Sequence, residues 1–184
     1  MNQLTNKSKS RIIYFFSAFV LAIVSLCLVA KPALKAIYPL KFENEIKKYS
    51  DAYSLDEHLV MAIISAESKF NENALSPKGA KGLMQLKDET ASWCMEHFNI
   101  ENSTDKNDLN IHLGCAYLRY LIDKYKGYTD TAIAAYNAGE GNVSTWLKEQ
   151  DGQSVVLCSI PFGETEKYVE TVKKRLKIYR LLYN

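Results

Sequence analysis

Two patterns of apolar residues divide the chain. From Ile12 to Ala30 no residue is charged, a length close to the ~20 apolar residues that cross a bilayer as a helix. Beyond residue 40 the apolar positions instead recur three and four apart, the period of helices with one buried face. Phe42, Ile46, Tyr49 and Tyr53 predict the first of these. Ser54-Leu55-Asp56-Glu57 reads as a capping box that opens the second, whose apolar stripe holds Val60, Ile63 and Ile64 and ends at Glu67. Asp88 or Thr90 is positioned to cap a third, carrying Ala91, Trp93, Cys94, Met95 and Phe98. Residues 99–107 are polar and read as a surface loop.

A long helix is expected from Asp108 to Lys126, with Ile111, Gly114, Cys115, Leu118, Leu121, Ile122 and Tyr125 on its inner face. Gly114 inside a helix costs about 1 kcal/mol against alanine, which points to a close helix crossing there. Thr129 is placed to cap a short helix that runs to Ala138 and stops at Gly139 and Gly141. Val143, Trp146 and Leu147 supply a further turn or two, and residues 149–160 a connector. Tyr168, Val169, Val172, Leu176, Tyr179 and Leu182 mark the last helix, whose Lys173, Lys174, Arg175 and Lys177 form a solvated face. No stretch alternates as a strand would, and no segment repeats, so the fold class is mostly α.

The uncharged run has Lys7, Lys9 and Arg11 before it and Lys31 and Lys35 after it. That asymmetry favours a cytoplasmic N-terminus and an exported remainder. The expected organisation is a short basic cytoplasmic tail at 1–11, a membrane signal-anchor at 12–30, a linker at 31–40 and one domain at 41–184. A cleaved signal is the alternative, although the run exceeds the usual apolar core of one. A lipoprotein signal at Cys27 is disfavoured because Leu26 stands where a small residue is required.

Composition narrows the function. With 47% hydrophobic residues the chain can bury a core, and a net charge of +2 is too small to make nucleic acid the main partner. Of the four cysteines, Cys94, Cys115 and Cys158 lie in the domain and read as small buried hydrophobes. His58, His97 and His112 lack metal-ligand spacing and are expected at the surface or its boundary, and no metal or other cofactor is called for.

Glu67 is the residue that stands out. A carboxylate closing an apolar stripe is poorly solvated, which raises its pKa, and the negative end of the helix dipole acts in the same direction. A carboxyl kept protonated near neutrality is what a general acid needs. Asn71, Asn73, Ser76-Pro77, Gly79 and Gly82 then make a tight loop.

Four segments stand in order along the chain: Glu67-Ser68, Gly82-Leu83-Met84-Gln85, the run Ala135-Tyr136-Asn137-Ala138-Gly139, and Glu164-Thr165 before Tyr168-Val169. Together they resemble the lytic transglycosylase family, of the soluble-lytic type, within the lysozyme-like fold. The resemblance implies cleavage of peptidoglycan glycan strands between N-acetylmuramic acid and N-acetylglucosamine. Glu67 would first protonate the glycosidic oxygen and then take the C6 hydroxyl proton, closing a 1,6-anhydro ring. It further implies that Ser76 contacts an acetamido group, that Gln85 lines the cleft and that Tyr136 and Asn137 face Glu67, with the tyrosine hydroxyl positioning it. Glu164 would bind the sugar or the peptide. Lys87-Asp88 departs from the apolar residue and proline often found after the glycine turn, placing a lysine on the cleft floor. Ordinary glycosidases use two carboxyls about 5–9.5 Å apart, and neither Glu72, Asp88 nor Glu89 shares the helix face of Glu67. The competing readings are a hydrolytic muramidase on the same fold and a non-catalytic glycan-binding scaffold of an envelope-spanning apparatus. The expected partners are glycan strands, the membrane through residues 12–30 and cell-envelope machinery.

Overall fold

The structure, a computed structural model, describes residues 2–150 and 154–183, with side chains placed except at 2–13 and 26–28. The side chains of Lys7, Lys9, Arg11, Leu26 and Cys27 therefore lie outside the described residues. The chain divides into two compact units, residues 1–39 and 40–184. In the first, α1 runs Asn2–Ile37 with Pro32 inside it. Its stretch Tyr14–Ile37 is long and apolar enough to cross a membrane, with a mean hydropathy of 2.1. Residues 31–37, read as linker from sequence, continue this helix.

The second unit holds α2 (Glu43–Ala52), α3 (Glu57–Ser68), α4 (Asp88–Phe98), α5 (Lys106–Lys124), α6 (Thr129–Ala138), α7 (Glu140–Gln150) and α8 (Gly163–Tyr183). Among the described residues there is no strand. Two isolated antiparallel bridges, Leu75 to Lys81 and Lys81 to Leu86, pin the loop between α3 and α4.

The unit is built around α3. Sequence periodicity gave it one apolar face, yet every residue from His58 to Ser65 is buried, because α8 packs along it on one side and α2 on another. A helix enclosed in this way needs small or apolar residues all round, which Ala62, Ser65 and Met61 supply. His58 is accordingly buried rather than at the boundary. The cap is also displaced from the sequence reading. Ser54 adopts φ 50° in the turn that ends α2, so Asp56 caps α3 instead, its carboxylate accepting from the His58 amide at 2.9 Å. Burial pushes the Asp56 carboxyl up, but Arg180 and the His58 amide outweigh it and hold the group below its usual range. Asp56→Ala is expected to cost about 1–2 kcal/mol, a lost cap plus a half-exposed ion pair. A group with a depressed pKa contributes stability that is lost as pH falls. The cost, read from thermal melts, should therefore shrink from pH 7 to pH 3.

Other boundaries shift by a residue or two. Helix α4 begins after Lys87 with no side-chain cap, because Asp88 is already helical and drawn to Lys81 at 2.6 and 2.8 Å. Helix α5 starts at Lys106, since Asp105 accepts from the amides of both Asn107 and Asp108. Thr129 is the first residue of α6 rather than its cap, and its hydroxyl donates to the Gly127 carbonyl. Gly139, at φ 86°, makes the break between α6 and α7 alone, while Gly141 lies inside α7.

Cys94 and Cys115 are buried as expected, but Cys158 is exposed on the connector. Arg175 also leaves the solvated face, donating to the Ser65 hydroxyl of α3 at 3.0 Å. The close approach at Gly114 is present, but it is made by the loop residue Met84 rather than by a helix.

Candidate active site

Glu67 is the penultimate residue of α3. Immediately after it the chain turns away, with Lys69 and Phe70 both in the left-handed region. The side chain is neither sealed nor free: it is partly exposed, and its Oε1 accepts from the Tyr168 hydroxyl of α8 at 2.6 Å. Burial raises its pKa to about 7, against the lowering influence of the Tyr168 hydrogen bond. Among the described residues no second carboxylate contributes to that shift. Because Oε1 accepts from Tyr168, the carboxyl proton of the neutral acid resides on Oε2, the oxygen left to act on a ligand.

The loop from Asn71 to Lys87 forms one side of the site and is built on internal hydrogen bonds. Ser76 Oγ accepts from the Ala80 amide at 2.9 Å. Gln85, at φ 48°, donates from Nε2 to the carbonyls of Gly82 and Ala74 at 2.8 and 3.1 Å. Asn110 of α5 clamps the turn from below, its Oδ1 accepting from the Met84 amide at 2.8 Å and its Nδ2 donating to the Lys81 carbonyl at 3.1 Å. Gly82 is required there, since its φ is +77° and a Cβ would lie 2.8 Å from the Asn110 side chain.

The other side comes from α6 and the start of α8. Tyr136 lies close enough to Glu67 that, after burial, the glutamate charge is the next influence holding its hydroxyl well above the ordinary range. That hydroxyl makes no described hydrogen bond to Glu67. It donates to the Met84 carbonyl at 3.0 Å, which ties α6 to the loop, and the hydroxyl on Glu67 belongs to Tyr168. Asn137 Oδ1 accepts from Thr165 at 2.9 Å, joining α6 to α8. Glu164 is exposed and pairs with Lys78 at 3.5 Å. Lys87 is exposed just before α4. Ser76, Gln85, Asn137 and Glu164 thus make no described hydrogen bond to Glu67, and Tyr136 approaches it without one.

Tyr168, whose hydroxyl meets Glu67, is the candidate that the sequence reading missed. It appeared as an apolar position on α8 and as part of the fourth motif, with no role given to its hydroxyl. The signal was available, because a tyrosine on an inward helical face brings a hydroxyl that needs a buried partner. Burial, Glu67's charge and the bond to Glu67 keep its hydroxyl protonated. Tyr168→Phe should therefore raise the Glu67 pKa further and shift the alkaline limb of the activity–pH profile upward. It should also cost roughly tenfold in kcat at neutrality, the value of one charge-assisted hydrogen bond. An unshifted profile would exclude this orienting role.

A helical domain with a desolvated carboxylic acid at a helix end, beside a glycine-pinned loop, has the parts that acid–base chemistry on a ligand requires. Residues 44–155 match the family model described as the transglycosylase SLT domain, and the chain belongs to that family. It is 34% identical over 155 residues to the soluble lytic murein transglycosylase of Escherichia coli strain K12, covering 80% of this chain and 24% of that protein. It is 29% identical over 170 residues to the membrane-bound lytic murein transglycosylase C of Edwardsiella ictaluri, covering 76% of this chain and 46% of the relative. The solved structure of an inactive glutamate-to-glutamine mutant of the lytic transglycosylase Slt from Pseudomonas aeruginosa superimposes with a TM-score of 0.73 at 30% identity. That match covers 94% of this chain and 29% of the other. The chain thus spans about a quarter of the length of the soluble relatives it matches and shares their mostly α, lysozyme-like catalytic fold.

Proposed function

We propose that the domain is a peptidoglycan lytic transglycosylase in which Glu67 serves in turn as acid and base. The observation that carries this reading is a lone carboxyl, raised to about 7 by burial, whose Oε1 is held by Tyr168 at 2.6 Å. In the first step Oε2–H protonates the oxygen linking N-acetylmuramic acid to N-acetylglucosamine as the C1–O bond breaks. The resulting carboxylate then takes the proton of the muramic C6 hydroxyl, and O6 bonds to C1. The proton gained in the second step restores the acid, so no water is consumed. The family membership and the inactivity of the glutamine-substituted relative support this assignment.

The free polar atoms of the loop and of α6 suit a glycan. Ser76 Oγ, already accepting from Ala80, retains its proton for an acetamido carbonyl. Gln85 spends its Nε2 on the loop and keeps Oε1 for a sugar hydroxyl. Asn137 keeps Nδ2, because Thr165 occupies Oδ1. Tyr136 supports the wall through Met84, and Glu164 stands at the exposed rim to meet sugar or peptide. The apolar stretch of α1 is read as a single-pass anchor that leaves the domain on the outer side of the cell membrane, where peptidoglycan and the envelope machinery lie.

The deciding experiment is mass spectrometry of the products released from purified sacculi. Muropeptides with 1,6-anhydro ends are expected. Reducing ends would mean that water is the nucleophile and that the domain is a hydrolytic muramidase, and no release would leave a glycan-binding scaffold.

A further inference from the structure

The outer face of α8 takes no part in anything described so far. Tyr168 and Arg175 turn inward from this helix, to Glu67 and to Ser65 of α3. At about 100° per residue, Glu166, Glu170, Lys173, Lys174 and Lys177 all fall within about 60° of the point opposite Tyr168, and all are exposed. With Ile160 of the preceding connector they line a groove.

The charges along this stripe are ordered. Glu166 and Glu170 come first, then Lys173, Lys174 and Lys177. Lys173 is taken by Asp130 of α6, whereas the others carry no ion pair among the described residues. Acid before base suits the helix dipole. The dipole does not require both signs on one seam, at the spacing of four, three and four that Glu166, Glu170, Lys173 and Lys177 show. That spacing reads the same from either end, while the signs reverse. A second α8 laid antiparallel to the first therefore sets Glu166 against Lys177 of the partner subunit. Glu170 meets the partner's Lys174, the free neighbour of Lys173. A two-fold axis repeats each pair, giving a closed contact of one patch with itself. A plainly anionic surface fits less well, because two glutamates share the stripe.

We propose that this stripe of α8 is a homodimer contact, along which a second copy of the chain lies antiparallel. The contact is short, about 17 Å from Glu166 to Lys177 at about 1.5 Å per residue, and mostly charged. Exposed ion pairs contribute little individually, and dimers that are stable in solution bury larger and more apolar areas. Charge complementarity here sets orientation and partner choice more than strength. The pairing is accordingly one for chains already held in the same membrane, where confinement raises their effective concentration. It rests on the anchor reading of α1 above and not on the catalytic reading of Glu67. Because the stripe faces away from Tyr168, the contact covers neither copy's Glu67.

Full-length chains labelled at the N-terminus with a donor or an acceptor fluorophore are reconstituted together in phosphatidylcholine vesicles. Flotation of the vesicles shows whether the chains are held in the membrane. Energy transfer above the level of random crowding is expected. It should be lost in about 1 M salt, where charges are screened beyond about 3 Å. Glu166→Lys/Glu170→Lys makes the stripe basic throughout, and Lys174→Glu/Lys177→Glu makes its free charges acidic throughout. Each double variant alone should lose the transfer, and a mixture of the two should recover it. Recovery cannot come from misfolded chains, and thermal melts check each variant separately. The milder Glu170→Gln/Lys174→Gln should lose part of the signal without reversing any charge. The proposal is overturned if floating parent chains show no transfer beyond crowding, as when another surface covers the stripe. It is equally overturned if charge reversal leaves the transfer unchanged, as when the α1 helices associate by themselves, or if the folded reversed variants do not recover it on mixing. Chains that fail to float remove the anchor reading and the confined dimer with it, whereas floating chains without transfer remove the dimer alone. Product release from sacculi tests Glu67 separately and does not depend on either result.

Discussion

Glu67→Gln is expected to fold as the parent does and to release no more than about a thousandth of its anhydro-muropeptides, because under the proposed mechanism one substitution removes both proton transfers. General acid–base assistance is typically worth ~10²–10⁴-fold, and losing both halves places this variant at the upper end. The amide is nearly isosteric and keeps Oε1, so Tyr168 retains its acceptor and the wall between α3 and α8 is undisturbed. Stability should change in a pH-dependent way. The folded-state pKa is about 7 and the ordinary value 4.5, so the native state binds the extra proton between them. Stability from this group is full below about 4.5, falls as pH rises through about 7, and levels off above. By then the buried charge costs about 3 kcal/mol. The glutamine variant escapes that loss. It should match the parent near pH 4 and melt several degrees higher at pH 8, at about 2–4 °C per kcal/mol. Glu72→Gln is the control, since Glu72 is exposed and accepts from Asn107; it should leave activity near that of the parent. More than about a tenth of the activity surviving in Glu67→Gln would rule out the single-acid scheme, being less than the smallest acid–base effect. Equal melting temperatures at pH 8 would show that the carboxyl is not desolvated.

How far sequence reached toward this site differed from residue to residue. The position of Glu67 was legible because a helix fixes which side chains share a face, and three apolar neighbours at i−3, i−4 and i−7 predicted its desolvation. What sequence could not show was how thoroughly α3 is enclosed. Ala62, Ser65 and Met61 are neutral in a periodicity count and become interior only once α8 covers them. The cap moved from Ser54 to Asp56 for a related reason. Two good capping residues stood two apart, and the turn closing α2, with Leu55 donating to the Ser50 carbonyl at 2.9 Å, decided between them. Which tyrosine hydroxyl is hydrogen-bonded to Glu67 was the least legible. Both are inward tyrosines, and the hydroxyl that reaches Glu67 depends on where α6 and α8 cross it, a non-local matter that neither local pattern encodes. Arg175 illustrates the same limit, since a cluster of four basic residues within five positions looks solvated although one finds the Ser65 hydroxyl.

The glycine in α5 was legible as a demand for space but not as to what fills it, and its replacement is expected to cost stability through the loop it packs against. A Cβ at Gly114 would lie 2.2 Å from the Met84 sulfur and 2.8 Å from both its Cβ and its Cε. A flexible sulfur can move, but a Cβ cannot move without its backbone. That backbone is held at both ends, by Asn110 at the Met84 amide and by Tyr136 at the Met84 carbonyl. Met84 is also fully buried, leaving it no open side to retreat into. Alanine gains about 1 kcal/mol of helix propensity over glycine, while forcing atoms into a filled core costs typically 1–3 kcal/mol, and with the backbone pinned the upper part of that range applies. Gly114→Ala should therefore destabilise by about 1–2 kcal/mol net, and Gly114→Val by more, measured by urea unfolding. The cause is isolated by a double-mutant cycle. Met84→Ala alone opens a cavity and should cost about 2–5 kcal/mol. In the Gly114→Ala background the new methyl fills part of that space, so the combined cost should fall short of the sum by about 1 kcal/mol or more. Strictly additive costs would mean that Gly114 and Met84 do not compete for the same volume, and that the glycine is there for some reason other than the loop.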